Sequence, residues 1–235
     1  MVMSLPTSPS GEYFCLENLD LYDDPECQSL GSQASQGQRV QMLNKENELA
    51  VRVMTVEDGY GTWLKKEDLQ YLEVAEEPYE FVPFTRAEIE SRLEGVLIFA
   101  QAAKQTNNTY LWGGTTAPDY DCSGFVQSAF ASEGIWLPRN SYQQGDFTER
   151  VDLEDLLPGD LIFFAKGRRI DHVALYLGEG YYIHSSGREM GRNGIGIDRL
   201  WEPWDAISRA YYQTLWGFGR VMESYAPPSL VCHLN

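Results

Sequence analysis

The segment "DYDCSGF", Asp119 to Phe125, sets a cysteine between a carboxylate and a hydroxyl where a helix is predicted to begin. From there Phe125, Val126, Ala129 and Phe130 recur at steps of three and four, and Gly134 ends the pattern. A thiol attacks a carbonyl as thiolate. The unpaired N–H groups and dipole of a helix start favour negative charge, so Cys122 is expected to have a lowered pKa. Taken alone, a cysteine on an apolar stripe is more often a small core residue.

Two of the three histidines flank a predicted hairpin, "DHVALYL", "GEG", "YYIHSS". If Leu177 pairs with Tyr181, Ala174 faces His184, and His172 lies diagonal to His184 on the same face. If Gly178 pairs with Tyr181 instead, the histidines fall on opposite faces. In the first register a thiol at a helix start, a histidine base and a second polar group form a papain-like arrangement, the third group holding the base in its useful tautomer. Asp171 is a rival for that third place, but as the strand neighbour of His172 it should point to the other face, which favours His184.

The elements that must hold these residues follow from pattern. From Gly11 to Val74, short apolar runs such as "RVQML" and "LAVRVM" alternate with turn formers such as "DDP" and "EDGYG", the texture of a small all-β barrel (11–74) after a short N-terminal extension (1–10). Residues 75–84, within the acidic "VAEEPYEFVPF", read as a linker. Thr85 and Glu88 then form a capping box, and Ile89, Leu93, Val96, Leu97 and Ala100 mark a helix opening a second domain (85–225). Helices precede the runs "DLIFFA", "HVALYL", "YYIHSS", "GIGIDRL" and "GFGRVM", which indicates an α+β fold with an antiparallel sheet. Residues 226–235 read as a loose tail.

A net charge of -17 over 235 residues argues against nucleic acid or an anionic membrane as partner and favours a small substrate. The N-terminus lacks the basic start and apolar run of a signal peptide, so a cytoplasmic location is expected. The four cysteines, Cys15, Cys27, Cys122 and Cys232, show no paired spacing. A zinc site from Cys15, Cys27, Cys232 and His233 would lack any CxxC unit, so ordinary buried or tail residues are the preferred reading.

The segment "YLWGGTTAPDYDCSGFVQ", followed in order by "LLPGDLIFF", "DHVALYLG" and "YYIHSSG", resembles the NlpC family of bacterial cell-wall cysteine peptidases over nearly all of Thr85 to Met222. "DGYGTWLKKEDL", with Trp63, resembles the end of a bacterial SH3-like domain. The resemblance implies a papain-like peptidase domain with Cys122 as nucleophile, His172 as general base, His184 as third residue, and Tyr110 helping the backbone N–H of Cys122 hold the oxyanion. A packed aromatic is the alternative for Tyr110. It also implies that Asp121, Ser123 and Ser141 hold the free amine of an N-terminal L-alanine, closed over by Tyr60 of the barrel. Otherwise Asp121 serves only the helix dipole and Ser141 is a helix cap. On this basis a free ammonium would pair with the Asp121 carboxylate, whereas a blocked, neutral amide would leave that buried charge unpaired and be selected against. The implied substrate is a small peptidoglycan peptide cut between D-glutamate and a diamino acid, commonly meso-diaminopimelate, in cell-wall recycling, with no metal or organic cofactor. The alternatives are a thioester-forming acyltransferase and an inert wall-binding module.

Overall fold

A computed structural model describes residues 7–201 and 205–228. The start of the N-terminal extension and most of the tail, including Cys232 and His233 of the zinc alternative, lie outside the described residues. The chain divides into two compact units. Among the described residues, the first comprises 7–82, Trp112–Thr116 and 226–228; the second comprises Pro83–Leu111 and the described part of Ala117–Tyr225. The sequence reading placed 112–116 in the second domain. Hydrogen bonding explains why it clusters with the first: Gln33 N donates to Thr115 Oγ1 (3.2 Å), Thr115 Oγ1 to Gln33 O (2.9 Å), and Thr115 N to Gln33 Oε1 (3.1 Å).

In the first unit, turn-separated apolar runs form strands β1 (Glu12–Cys15), β2 (Leu19–Tyr22), β3 (Leu30–Ala34), β4 (Arg39–Glu46), β5 (Ala50–Thr55), β6 (Gly61–Lys65) and β7 (Leu72–Val74). Among the described residues they make one antiparallel sheet in the order β3-β2-β6-β5-β4-β1-β7. Leu21, Val40, Val53 and Leu64 are fully buried in its core. Cys15 is buried there too. Burial, then the nearby Glu57, pushes its thiol up to about 12, which makes it inert.

Glu57 is an unusual member of that core. Its Oε1 accepts from Arg39 N at 2.8 Å, while Oε2 is buried without a partner. Burial, against the pull of backbone N–H groups, raises its pKa to about 7. The folded state therefore keeps a proton that the unfolded chain releases above its ordinary value of 4.5. This contribution is complete below pH 4.5 and is lost as pH rises to about 7, a loss of about 3 kcal/mol. Denaturant titrations of the full chain at several pH values should show this decline, and Glu57→Gln should flatten it. An equal pH dependence in wild type and Glu57→Gln would refute it.

The second unit opens with α1 (Arg86–Gln105), started by the Thr85/Glu88 capping box and burying Ile89, Leu93, Val96 and Ala100. After β8 (Thr115–Thr116), which belongs to the first unit, the second unit continues with β9 (Asp119–Tyr120), α2 (Cys122–Ala131) and α3 (Ser141–Phe147). Then come β10 (Glu149–Val151), β11 (Leu161–Phe164), β12 (His172–Gly178), β13 (Tyr181–Ser186), β14 (Gly194–Arg199), α4 (Ala206–Tyr212) and β15 (Leu215–Arg220). Its antiparallel sheet runs β10-β15-β11-β12-β13-β14. Strand alternation divides it into two faces. Leu161, Phe163, Val173, Leu175 and Ile183 pack with α1 and α2, whereas Ile162, Phe164, Ala174, Tyr176 and Tyr182 pack with Tyr211 of α4. The fold is therefore α+β, with an all-β unit before it.

The β12–β13 hairpin combines the two registers that the sequence left open. Gly178 pairs with Tyr181 across a two-residue turn, in which Glu179 (φ 52°) and Gly180 (φ 82°) are both left-handed, as the tight hairpin turn with two positive φ values requires. The register then shifts between Tyr176 and Gly178, making Leu177 an extra residue, and Leu175 pairs with Ile183. Carried along the strand, this sets Ala174 opposite His184 and puts both histidines on one face.

Candidate active site

Cys122 is the first residue of α2, buried at 6% exposure. Its N-cap is Asp121, whose Oδ1 accepts from Gly124 N at 2.7 Å. The thiol reaches the sheet at the start of β12, where it meets the backbone N–H of Val173, the residue after His172. Burial, then the adjacent Asp121 carboxylate, raises the Cys122 pKa to about 12, against lowering by the N–H groups of Val173 and Ser123 and by Arg139. The expected lowering at the helix start is thus overridden. A dipole and two N–H groups do not offset the loss of water around a thiolate.

His172 and His184 meet as the hairpin register dictates, Nε2 to Nδ1 at 2.7 Å. His184 Nε2 in turn lies 2.7 Å from Asp198 Oδ2. Asp198 sits opposite Tyr182 on β14, and so diagonal to His184, by the same sheet geometry. It is fully buried and also accepts from Arg192 Nη2 (2.5 Å) and Ser208 Oγ (2.8 Å), both at Oδ1. Although burial pushes the Asp198 pKa up, the bonds from His184 and Ser208 and the Arg192 charge hold it below the ordinary carboxylate value. Burial lowers the pKa of His184 despite Asp198, so the contact is a neutral imidazole donating to a carboxylate. His172 is lowered well below its ordinary value by burial, then by His184 and Lys166.

These bonds determine the proton positions. An ionised carboxylate only accepts, so His184 carries its hydrogen on Nε2 and offers a lone pair at Nδ1. His172 must then donate from Nε2, which leaves its Nδ1 with a free lone pair, the form a base needs. Tyr211 packs against both rings at 4.7 Å, its hydroxyl 2.6 Å from Ser186 Oγ. Asp171 is exposed and accepts from Lys166 N, away from this chain of bonds.

The remaining predicted residues divide. Tyr110 has its pKa raised by burial and then by Cys122 and Asp121, so its hydroxyl stays protonated and can donate near the thiol. Asp121 is not an unpaired carboxylate. Arg139 holds it through Nη2–Oδ2 (2.6 Å) and Nη1–Oδ1 (3.2 Å), and also donates to Ser123 Oγ at 3.2 Å. Ser123 Oγ donates to Asp121 Oδ1 at 3.2 Å. The selectivity argument from an unpaired charge therefore fails: a substrate amine would meet a carboxylate already balanced by a buried guanidinium. Ser141 is buried as the first residue of α3, but the cap is Asn140, in a capping box with Gln143. Tyr60 lies in the first unit, its hydroxyl donating to Asp23 Oδ1 at 3.0 Å.

Asp198, Arg139 and Tyr211 were missed in the sequence. Asp198 stands in the run "GIGIDRL", where strand alternation alone marks it as facing one side, but its partner depends on the β13–β14 register. Among the described residues there is no cluster of three or more His, Cys, Asp or Glu side chains arranged to hold a metal ion.

Comparison with known proteins bears on the family. Residues 106–214 match the NlpC/P60 family and residues 21–69 the bacterial dipeptidyl-peptidase Sh3 domain. A probable endopeptidase p60 of Listeria seeligeri is 39% identical over 124 residues, 53% of this chain and 22% of that protein. A gamma-D-glutamyl-L-lysine dipeptidyl-peptidase of Bacillus cereus is 32% identical over 176 residues, 70% of this chain and 46% of that protein. The chain thus spans less than half the length of these relatives. The crystal structure of an NlpC/P60 family protein from Bacillus cereus superposes with a TM-score of 0.49 at 27% identity, over 91% of this chain and 64% of that one. The chain belongs to the NlpC/P60 family through its second unit and carries a bacterial dipeptidyl-peptidase Sh3 domain in its first.

Proposed function

We propose that the protein is a cysteine peptidase that hydrolyses the amide between the γ-carboxyl of D-glutamate and a diamino acid in peptidoglycan peptides with a free N-terminal L-alanine, during wall turnover. The observation that carries this reading is the chain of bonds from Asp198 through His184 to His172, which leaves a basic nitrogen for the thiol at the head of α2. The names of the curated relatives support the bond type.

The reaction begins from a neutral thiol and a neutral imidazole. As sulfur attacks the γ-carbonyl carbon, the thiol proton passes to His172 Nδ1. The oxyanion is held by the backbone N–H of Cys122, which has no intrahelical partner, and by the Tyr110 hydroxyl. The C–N bond breaks as His172 returns the proton to the leaving amine. Water, deprotonated at His172, then attacks the thioester, and the C–S bond breaks as the sulfur regains a proton.

Incubation with L-alanyl-γ-D-glutamyl-diaminopimelate should release L-alanyl-D-glutamate and free diaminopimelate, identified by mass. An intact peptide, or a cut at another bond, would overturn the reading. Because Arg139 already balances Asp121, N-acetylating the L-alanine should lower kcat/KM by about tenfold, the loss of one charge-assisted hydrogen bond. Equal rates on both peptides would refute recognition of the amine.

A further inference from the structure

We propose that a cleft between α3, the β11–β12 connection and β15 is a carboxylate-binding subsite that takes the free carboxylates at the diamino-acid end of the substrate peptide. The inference rests on the peptidase reading for the identity of its ligand. The cleft has a volume of about 380 Å³ and lies within the second unit. Three of the chain's 18 lysines and arginines, Arg150, Arg168 and Arg169, line it, with Asp146 the carboxylate at its wall. In a protein of net charge -17 such a concentration of cations is out of keeping with the rest of the surface.

Their pairing also leaves them available to a ligand. Arg39, Arg86, Arg139, Arg192 and Arg220 each have a carboxylate within ion-pair distance. Among the described residues no such bridge involves Arg150, Arg168 or Arg169. Three exposed guanidinium groups facing one cleft repel each other, and a bound anion would relieve that repulsion. Arg169 is pre-positioned, its guanidinium carbon 3.2 Å from the centroid of the Tyr142 ring. Stacking uses the face of the guanidinium and leaves its in-plane N–H groups for a carboxylate, which they match two at a time. Trp216, 47% exposed, supplies an aromatic wall against which the methylenes of a diamino acid could lie.

The cleft is built from elements that also hold the catalytic residues. Ile170 lines it and lies two residues before His172, a Cα separation of at most about 7 Å. Tyr142 follows Ser141, and Gln144 of the same helix donates to the carbonyl of Ser123, beside Cys122, at 3.1 Å. A peptide end held here would anchor the substrate on parts that cannot shift independently of the thiol.

Two readouts test the proposal on the full chain. In the first, the indole N–H resonance of Trp216, assigned through Trp216→Phe, is followed during titration with glutarate and, separately, with inorganic phosphate. Glutarate at millimolar concentration should shift it, and Arg168→Gln/Arg169→Gln should weaken that response at least about tenfold. No shift with glutarate, or an unchanged response in the double variant, overturns the subsite. Tighter binding of phosphate overturns the choice of carboxylate. In the second, amidating the diamino-acid carboxylates should lower kcat/KM about tenfold for wild type but leave the double variant nearly indifferent, the signature of coupled groups. Equal losses in both proteins would also overturn it. Should the double variant fail to fold, Arg150→Gln gives the same comparisons from a different element. If no peptide is hydrolysed by wild type, the peptidase reading fails, while the Trp216 titration still decides whether the cleft binds carboxylates.

Discussion

Cys122→Ala should abolish hydrolysis, with kcat reduced by at least about 10⁴-fold, while the protein remains folded. The substitution removes one buried sulfur and retains Cβ at the first position of α2, where alanine is well tolerated, so the stability cost should be about 1 kcal/mol. Both parts matter. Cys122 belongs to the same apolar cluster as Phe125 and Val126, and a purely structural cysteine would lose stability without losing a reaction. Mass analysis of the tripeptide reaction, with thermal unfolding in parallel, separates the cases. Retained hydrolysis would remove Cys122 as nucleophile, and unfolding would return it to the core.

Asp198→Asn should lower kcat by at least about a hundredfold with little change in KM, through the position of a proton. Oδ1 of Asp198 receives two donors, Arg192 and Ser208, while Oδ2 faces His184. An asparagine has one oxygen to offer, and the two donors will draw it to the Oδ1 side, which turns its NH2 toward His184 Nε2. His184 must then carry its hydrogen on Nδ1 and donate to His172, which moves the His172 hydrogen onto the nitrogen meant to accept the thiol proton. The fold would be preserved and the base disabled. Nitrogen-15 NMR of the imidazoles reads the tautomers directly. Unchanged kcat, or a slow variant with unchanged tautomers, would refute this account.

What was legible in the sequence was whatever depends on near neighbours. Thr85 and Glu88 announce the start of α1 because a capping box is a contact between residues three apart. The position of Cys122 at a helix start follows from an apolar stripe that begins just there. What was not legible depends on distant partners. Arg139 finds Asp121 across 18 positions, with nothing local to mark the pair. Asp198 becomes part of the site only after β13 and β14 choose their register. The direction of the Cys122 pKa shift was misread for the same reason: the helix start is a local feature, whereas burial comes from the whole second unit packing around it.

The extra residue at Leu177 gives the hairpin a parity. Insertions and deletions in surface turns are ordinarily the most readily accepted changes a chain can undergo, since they alter neither core nor ladder. Here a single deletion in the stretch Leu177–Gly180 would remove the need for the bulge: Tyr176 would still oppose Tyr182 across a regular two-residue turn, and His172 and His184 would stay on one face. Removing two residues and closing again on a two-residue turn would pair Tyr176 with Tyr181 and put the histidines on opposite faces. Loss of one residue from this turn is therefore expected among descendants that keep the activity, and loss of two should accompany its loss.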